Sequence, residues 1–303
     1  MQLGFVTAIF PEQSFDEVLN FASGEGFDCV EVMCWPLGGR DRKFGGVTHV
    51  DVSEFSSAKA DDVRALCDKH GVAISGLGYY PNPLSSNTAE AEVARSHLPK
   101  VIEAARLLGL KVVNTFIGAN HTQSLEENFR SFEEVWPSII AFAEERQIRI
   151  AIENCPMLFG DRWPFGSNLA RSPAIWRRMF QAIPSDYFGL NYDPSHMVMQ
   201  LMDPIAPIRE FGHRIFHTHA KDMRIDHHLL NDVGTLVLPM ERSTAKIPGL
   251  GDVNWAKWIG SLTDAEFDGA VCVEVEDEAF MHDLKSRQRS LQISRNVLRP
   301  LIG

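Results

Sequence analysis

Short apolar runs alternate along the chain with longer segments in which apolar residues recur every three or four positions. The short runs predict eight strands, over residues 3–7, 29–34, 72–77, 112–116, 148–153, 188–193, 215–219 and 270–275. Between and after them lie eight amphipathic stretches, over residues 14–23, 60–70, 89–108, 125–147, 173–183, 197–211, 255–262 and 283–301. Ser14 is placed to cap the first of these, and Gly71 and Gly109 to close the second and third. Eight strand–helix units in 303 residues have the length and rhythm of an α/β fold of the (β/α)8 TIM-barrel type, read as a single domain over residues 1–303. An open doubly wound sheet would carry a glycine-rich phosphate turn after an early strand. The first strand runs instead into Ala8-Ile-Phe-Pro-Glu12.

The segments after the strands are uneven. Those over residues 36–56, 79–87, 155–172 and 222–252 are long, while the connections at the opposite end are short. Long βα loops on one rim predict that the C-terminal face of the barrel is the working face. Trp35, Tyr79, Tyr80, Trp163 and Phe165 fall on that rim. Aromatics there could stack on a bound ring, with one or two packing the loops instead.

Four strand ends carry chemistry. Side chains alternate along a strand, so in Ile148-Arg-Ile-Ala-Ile-Glu153 the isoleucines suit the helix layer and Glu153 points inward with Ala151. The same count turns Asp193 and Asn191 inward, then His219 and His217, then Glu274, Cys272 and Ala270. Pro194 cannot continue a sheet and holds Asp193 at a strand tip, with His196 opening the next helix. With 40 acidic residues and 11 histidines among 303, four such tips in a row by chance are on the order of one in a thousand for a barrel rim. Three crowded carboxylates repel without a cation. Three oxygen ligands and one imidazole suit Mn²⁺, Mg²⁺ or Co²⁺ better than a thiolate-rich structural zinc site. Lys221, one step above His219, either neutralises a bound anion or pairs with a site carboxylate. Glu276 is a rival or supporting carboxylate, His217 a core histidine and Asp222 an orienting group.

The net charge of −11 argues against nucleic acid and anionic membrane surfaces as partners. The five cysteines are odd in number and contain no CxxC pair, as expected of free thiols in a reducing compartment. The N-terminus has no basic leader, and no apolar run reaches membrane-spanning length, which predicts a cytoplasmic protein.

The motifs Ala151-Ile-Glu153-Asn, Asn191-Tyr-Asp193-Pro-Ser-His196, His217-Thr-His219-Ala-Lys221-Asp222, Pro248-Gly-Leu-Gly-Asp252-Val-Asn-Trp255 and Gly269-Ala-Val-Cys-Val-Glu274 occur in order over nearly the whole chain. In them the chain resembles the xylose isomerase-like TIM-barrel superfamily of sugar isomerases and epimerases. The resemblance implies one divalent ion, Mn²⁺ first and Mg²⁺, Co²⁺ or Zn²⁺ after it, held by Glu153, Asp193, His219 and Glu274. It implies that Glu153 and Glu274 exchange protons on opposite faces of a bound sugar, with His196 and Arg224 holding substrate oxygens. Lys221, Trp35, Tyr79 and Trp163 complete the expected substrate site. The ligand is a small sugar or sugar derivative, and assembly into a homo-oligomer is compatible with the chain.

The expected activity is a metal-dependent sugar isomerase or epimerase, with a lyase or dehydratase on a keto-sugar, keto-inositol or 3-keto-glycoside as the alternative. A sugar-binding protein without catalysis is a third reading, against which Glu153 and Glu274 both stand. The related metal-dependent apurinic endonucleases need histidines at earlier strand tips. Strands three and four end in Gly76-Leu-Gly-Tyr79 and Asn114-Thr-Phe-Ile117, without one.

Overall fold

The computed structural model describes residues 1–38, 45–158 and 166–302. Eight parallel strands, β1 (Gln2–Val6), β2 (Cys29–Met33), β3 (Ala73–Gly78), β4 (Val112–Thr115), β5 (Arg149–Glu153), β6 (Phe188–Tyr192), β7 (Ile215–Ala220) and β10 (Ala270–Val273), close into a barrel. Each strand pairs with its neighbours in chain order, and β1 closes the ring against β10. The remaining strands, β8 (Asp222–Ile225) and β9 (Ser243–Lys246), form a separate antiparallel pair between β7 and β10. All eight predicted strands are present, within two residues of their expected ends.

The helices are α1 (Phe15–Gly24), α2 (Ser57–His70), α3 (Thr88–Leu108), α4 (Leu125–Glu145), α5 (Pro173–Ala182), α6 (Ser195–Met199), α7 (Ala206–Phe211), α8 (His227–Val233), α9 (Pro239–Arg242), α10 (Trp255–Asp264) and α11 (Leu284–Ile302). Side chains of Ser14, Ser56, Asn87 and Ser124 accept the free backbone N–H groups that open α1 to α4. Gly71 and Gly109 end α2 and α3 in the left-handed conformation, at φ +66° and +76°.

Two expectations are corrected here. The helix predicted over 197–211 is broken into α6 and α7. Pro204 and Pro207 lack the amide hydrogens that a continuous helix would need, and Leu201 takes a left-handed turn at φ 59°. The segment predicted as a loop over 222–252 holds the β8–β9 pair and α8 and α9.

The main core lies between the barrel and its helices. Inside the barrel the side chains are smaller, with Val6, Cys29, Met33, Ala270 and Cys272 in one cluster and Val112, Ala151 and Phe216 in another. Phe216 lies against Gly189, where an added Cβ would come within 2.5 Å of its ring. The interior is thus filled below the strand ends, and the polar groups gather above it. Among the described residues no helix is long and apolar enough to cross a membrane.

Candidate metal centre

β5 ends on Glu153, Asp193 follows β6 directly, β7 carries His219, and Glu274 follows β10 directly. Strand register brings these ends to one height, because Glu153 pairs with Asn191 and His219 with Cys272. One ligand atom from each of the four residues lies within 4.8 Å of the others. Glu153, Asp193 and His219 are buried, and the Glu274 side chain is 18% exposed. His219 Nδ1 lies 3.6 Å from Glu153 Oε1 and 3.5 Å from Glu274 Oε2.

The backbone around Asp193 is tied down. Its amide donates to Asn154 Oδ1 (2.7 Å), and Asn154 Nδ2 donates to its carbonyl (2.9 Å). Its Oδ1 accepts the Ser195 amide (2.8 Å). Among the described residues neither Oδ2 nor His219 Nδ1, both buried, makes a hydrogen bond of good geometry, although Oδ2 faces the His196 imidazole and the Lys221 ammonium and Nδ1 faces two carboxylates. Buried polar atoms without partners are costly. Here they belong to an imidazole and a carboxylate converging with two further carboxylates, and this donor set fits a divalent cation.

Two further expected residues join the cluster. His196 Nε2 stands 3.3 Å from Glu153 Oε1 and 3.2 Å from Asp193 Oδ2. Lys221 Nζ is buried 2.6 Å from Glu274, 3.1 Å from Glu276 and 3.3 Å from Asp193. Tyr79 is 2% exposed and packs edge-on against Trp35 and His97, with ring centroids 5.0 and 4.8 Å away. Trp35 is half-buried, and Arg224 is exposed on β8. Trp163, with Phe165, lies outside the described residues. Asp222 accepts the amides of Met223, Gly249 and Val253 and the indole N–H of Trp255, so it organises the Pro248–Trp255 segment.

Glu31 on β2 belongs to the site and is absent from the sequence reading. It is fully buried, and its Oε2 accepts from His219 Nε2 at 2.8 Å. The Tyr80 hydroxyl donates to its Oε1 (2.5 Å), and Asn191 Nδ2 donates to that hydroxyl (3.1 Å). Gly78 leaves room for the carboxylate, since a Cβ there would lie 2.5 Å from Oε1. His217 sits one layer lower, within hydrogen-bond reach of Asn191 Oδ1 (3.1 Å) and Ser75 Oγ (3.0 Å). A carboxylate on one ring nitrogen of His219 leaves the other nitrogen facing the cluster, the arrangement that fixes a metal-ligating histidine.

Burial alone would push the His219 imidazole down, but the carboxylates of Glu31, Glu274 and Glu153 overcome it and hold its pKa well above 6.5. Burial likewise opposes ionisation of Glu153 and Glu274, yet His219 and His196 draw Glu153 far below the usual carboxylate range. Lys221 and His219 bring Glu274 to about 2. The imidazole is therefore the donor that must shed a proton before a cation can bind, while both glutamates are already ionised. Affinity then rises with pH up to the raised pKa. Between about pH 6 and about pH 7 we expect a gain of about tenfold for one displaced proton. Calorimetric Mn²⁺ titration in buffers of different ionisation enthalpy should show proton release. An affinity that is flat with pH, with no protons released, would contradict this account of His219.

The xylose isomerase-like TIM barrel family matches residues 19–301. The chain is 28% identical to the uncharacterised protein YfiH of Bacillus subtilis, over 91% of this chain and 93% of that one. It is 30% identical to an inosose dehydratase of Clostridium tetani over 29% of this chain and 30% of the relative. Among solved structures, D-psicose 3-epimerase from Clostridium cellulolyticum H10 with D-tagatose superposes with a TM-score of 0.71. That match has 14% identity and covers all of both chains. The IolI protein with a bound zinc atom superposes equally well, at 0.71 and 16% identity, over 100% of this chain and 98% of that one.

Proposed function

Because the chain belongs to the xylose isomerase-like TIM barrel family, we propose that it is a divalent-metal-dependent isomerase, of the ketose epimerase or aldose–ketose type, for an unphosphorylated sugar or sugar derivative. The observation that carries this reading is the convergence of Glu153 and Glu274 with Asp193 and His219 at one end of the barrel. Those four residues would hold the ion, with Mn²⁺ preferred for an oxygen-rich set. A divalent ion there supplies Lewis-acid polarisation of a substrate carbonyl.

The remaining chemistry is the chain's own. One of the two glutamates removes the proton from the carbon next to the carbonyl, and the electron pair moves into an enediolate. Return of a proton to the same carbon from the other glutamate inverts that centre. Return to the neighbouring carbon exchanges aldose for ketose. Lys221 holds a positive charge beside Glu274 that would offset the negative charge developing on the enediolate oxygens. His196 reaches Glu153 and Asp193 and would donate to a substrate oxygen.

The relationship to an inosose dehydratase favours a second reading, in which a β-substituent leaves from the same enediolate and the enzyme is a lyase. Incubating the Mn²⁺-loaded protein in D₂O with ketoses, keto-inositols and 3-keto-glycosides separates the two. Gain of one deuterium without other change is the expected result. Loss of water or of an aglycone would replace the isomerase reading with the lyase. Bound metal with no exchange on any substrate would favour a binding role.

A further inference from the structure

Immediately beside the four-donor cluster lies a group of different composition. One ligand atom each of Glu153, Cys155 and His196 lies within 4.8 Å of the others. Cys155 is a free, half-buried thiol two residues beyond Glu153, and His196 is 4% exposed. The segment joining Glu153 to Cys155 is held by Asn168, which is fully buried and donates through Nδ2 to the carbonyls of Glu153 (3.0 Å) and Cys155 (2.7 Å). The His196 ring places Nε2 3.3 Å from Glu153 Oε1, and among the described residues its buried Nδ1 has no hydrogen-bond partner.

We infer that Glu153, Cys155 and His196 form a second cation site, sharing Glu153 with the first, that takes a thiophilic divalent ion of the zinc type. Thiolate, imidazole and carboxylate are the donors zinc accepts, and three protein ligands leave one position open. The charge of the region points the same way. The carboxylates of Glu31, Glu153, Asp193, Glu274 and Glu276 are gathered around His219 and Lys221, and Lys221 is the sole ammonium in those contacts. One divalent ion and the ammonium offset three of these five charges. A second ion, with Cys155 as thiolate, leaves a single negative charge uncompensated. The inference rests on the reading of the first centre in sharing Glu153 and in counting its ion, and it makes His196 a ligand rather than a donor to substrate.

The test is titration of the metal-stripped protein with Co²⁺, followed by absorbance and by metal content after dialysis. Two ions per chain are expected, one of them bringing a sulfur-to-cobalt charge-transfer band in the near ultraviolet. Cys155→Ala should lose the band and one ion while keeping the other. Glu274→Gln, which touches only the four-donor centre, should weaken the ion that lacks the band and leave the band unchanged. Absence of the band in the unaltered protein, or its persistence in Cys155→Ala through another cysteine, overturns the second site. A single ion that carries the band would leave the thiolate site standing and remove the four-donor centre, so the two readings fail separately.

Discussion

Glu153→Gln and Glu274→Gln should each reduce solvent proton exchange into substrate by about 10²–10⁴-fold, the contribution of a positioned acid or base. Glutamine keeps an oxygen that can face a cation but cannot accept and return a proton. The two variants should therefore separate metal binding from chemistry. Glu153 is buried against His219 and His196, and its replacement removes a charge that both rings contact. Metal affinity should fall along with exchange. Glu274 is more open and is paired at 2.6 Å with Lys221. Its replacement frees that ammonium toward Asp193 and Glu276. Exchange should fall more than metal affinity in this variant. The measurement is deuterium incorporation by mass spectrometry on the substrate that exchanges, with metal content measured on the same samples. If both variants keep metal affinity and turnover, the acid/base assignment is wrong.

The cluster was legible in the sequence because parity along a strand is a hard geometric rule. Glu153, Asp193, His219 and Glu274 each stand at the end of an apolar run, and the barrel places those ends together. The same rule, carried further, reaches Glu31, which the sequence reading passed over, and separates Tyr80 from Tyr79, both of which it named only as rim aromatics. Counting inward from Cys29 selects Glu31 and Met33, and a carboxylate between Val30 and Val32 in a buried strand needs a buried partner. Counting from Gly76 through Gly78 selects Tyr80 rather than Tyr79. Tyr80 touches Glu31, whereas Tyr79 packs outward on His97. The β8–β9 pair had no such signal. Asp222-Met-Arg-Ile225 does alternate polar and apolar, but over four residues only, and Ser243-Thr-Ala-Lys246 has a single apolar residue, so the pair forms because its two segments meet across the loop. Spacing alone also hid the break between α6 and α7, since the apolar positions continue past Pro204 while the backbone hydrogen bonds do not.

Glu31→Gln should leave the barrel intact and weaken Mn²⁺ binding by about 100-fold, the upper end of what loss of an outer carboxylate costs a ligating histidine. The carboxylate can only accept and lies closer to His219 Nε2 (2.8 Å) than the Asn191 amide nitrogen does (3.0 Å), so it favours a proton on Nε2, and that leaves the Nδ1 lone pair for the ion. A glutamine can turn its amide toward the same nitrogen and donate. The imidazole then carries its remaining proton on Nδ1, where the cation must bind. Tyr80→Phe removes only a hydroxyl that donates to Glu31 and should cost less. Nitrogen chemical shifts of His219 in the metal-free protein, recorded above its raised pKa, report the tautomer directly. Calorimetry on the same samples gives the affinity. Weak binding in Glu31→Gln together with a proton moved to Nδ1 would establish that Glu31 acts through the histidine. Weak binding with the tautomer unchanged would mean that its charge acts on the cation across space. Unchanged affinity would show that the barrel holds His219 in place without this carboxylate.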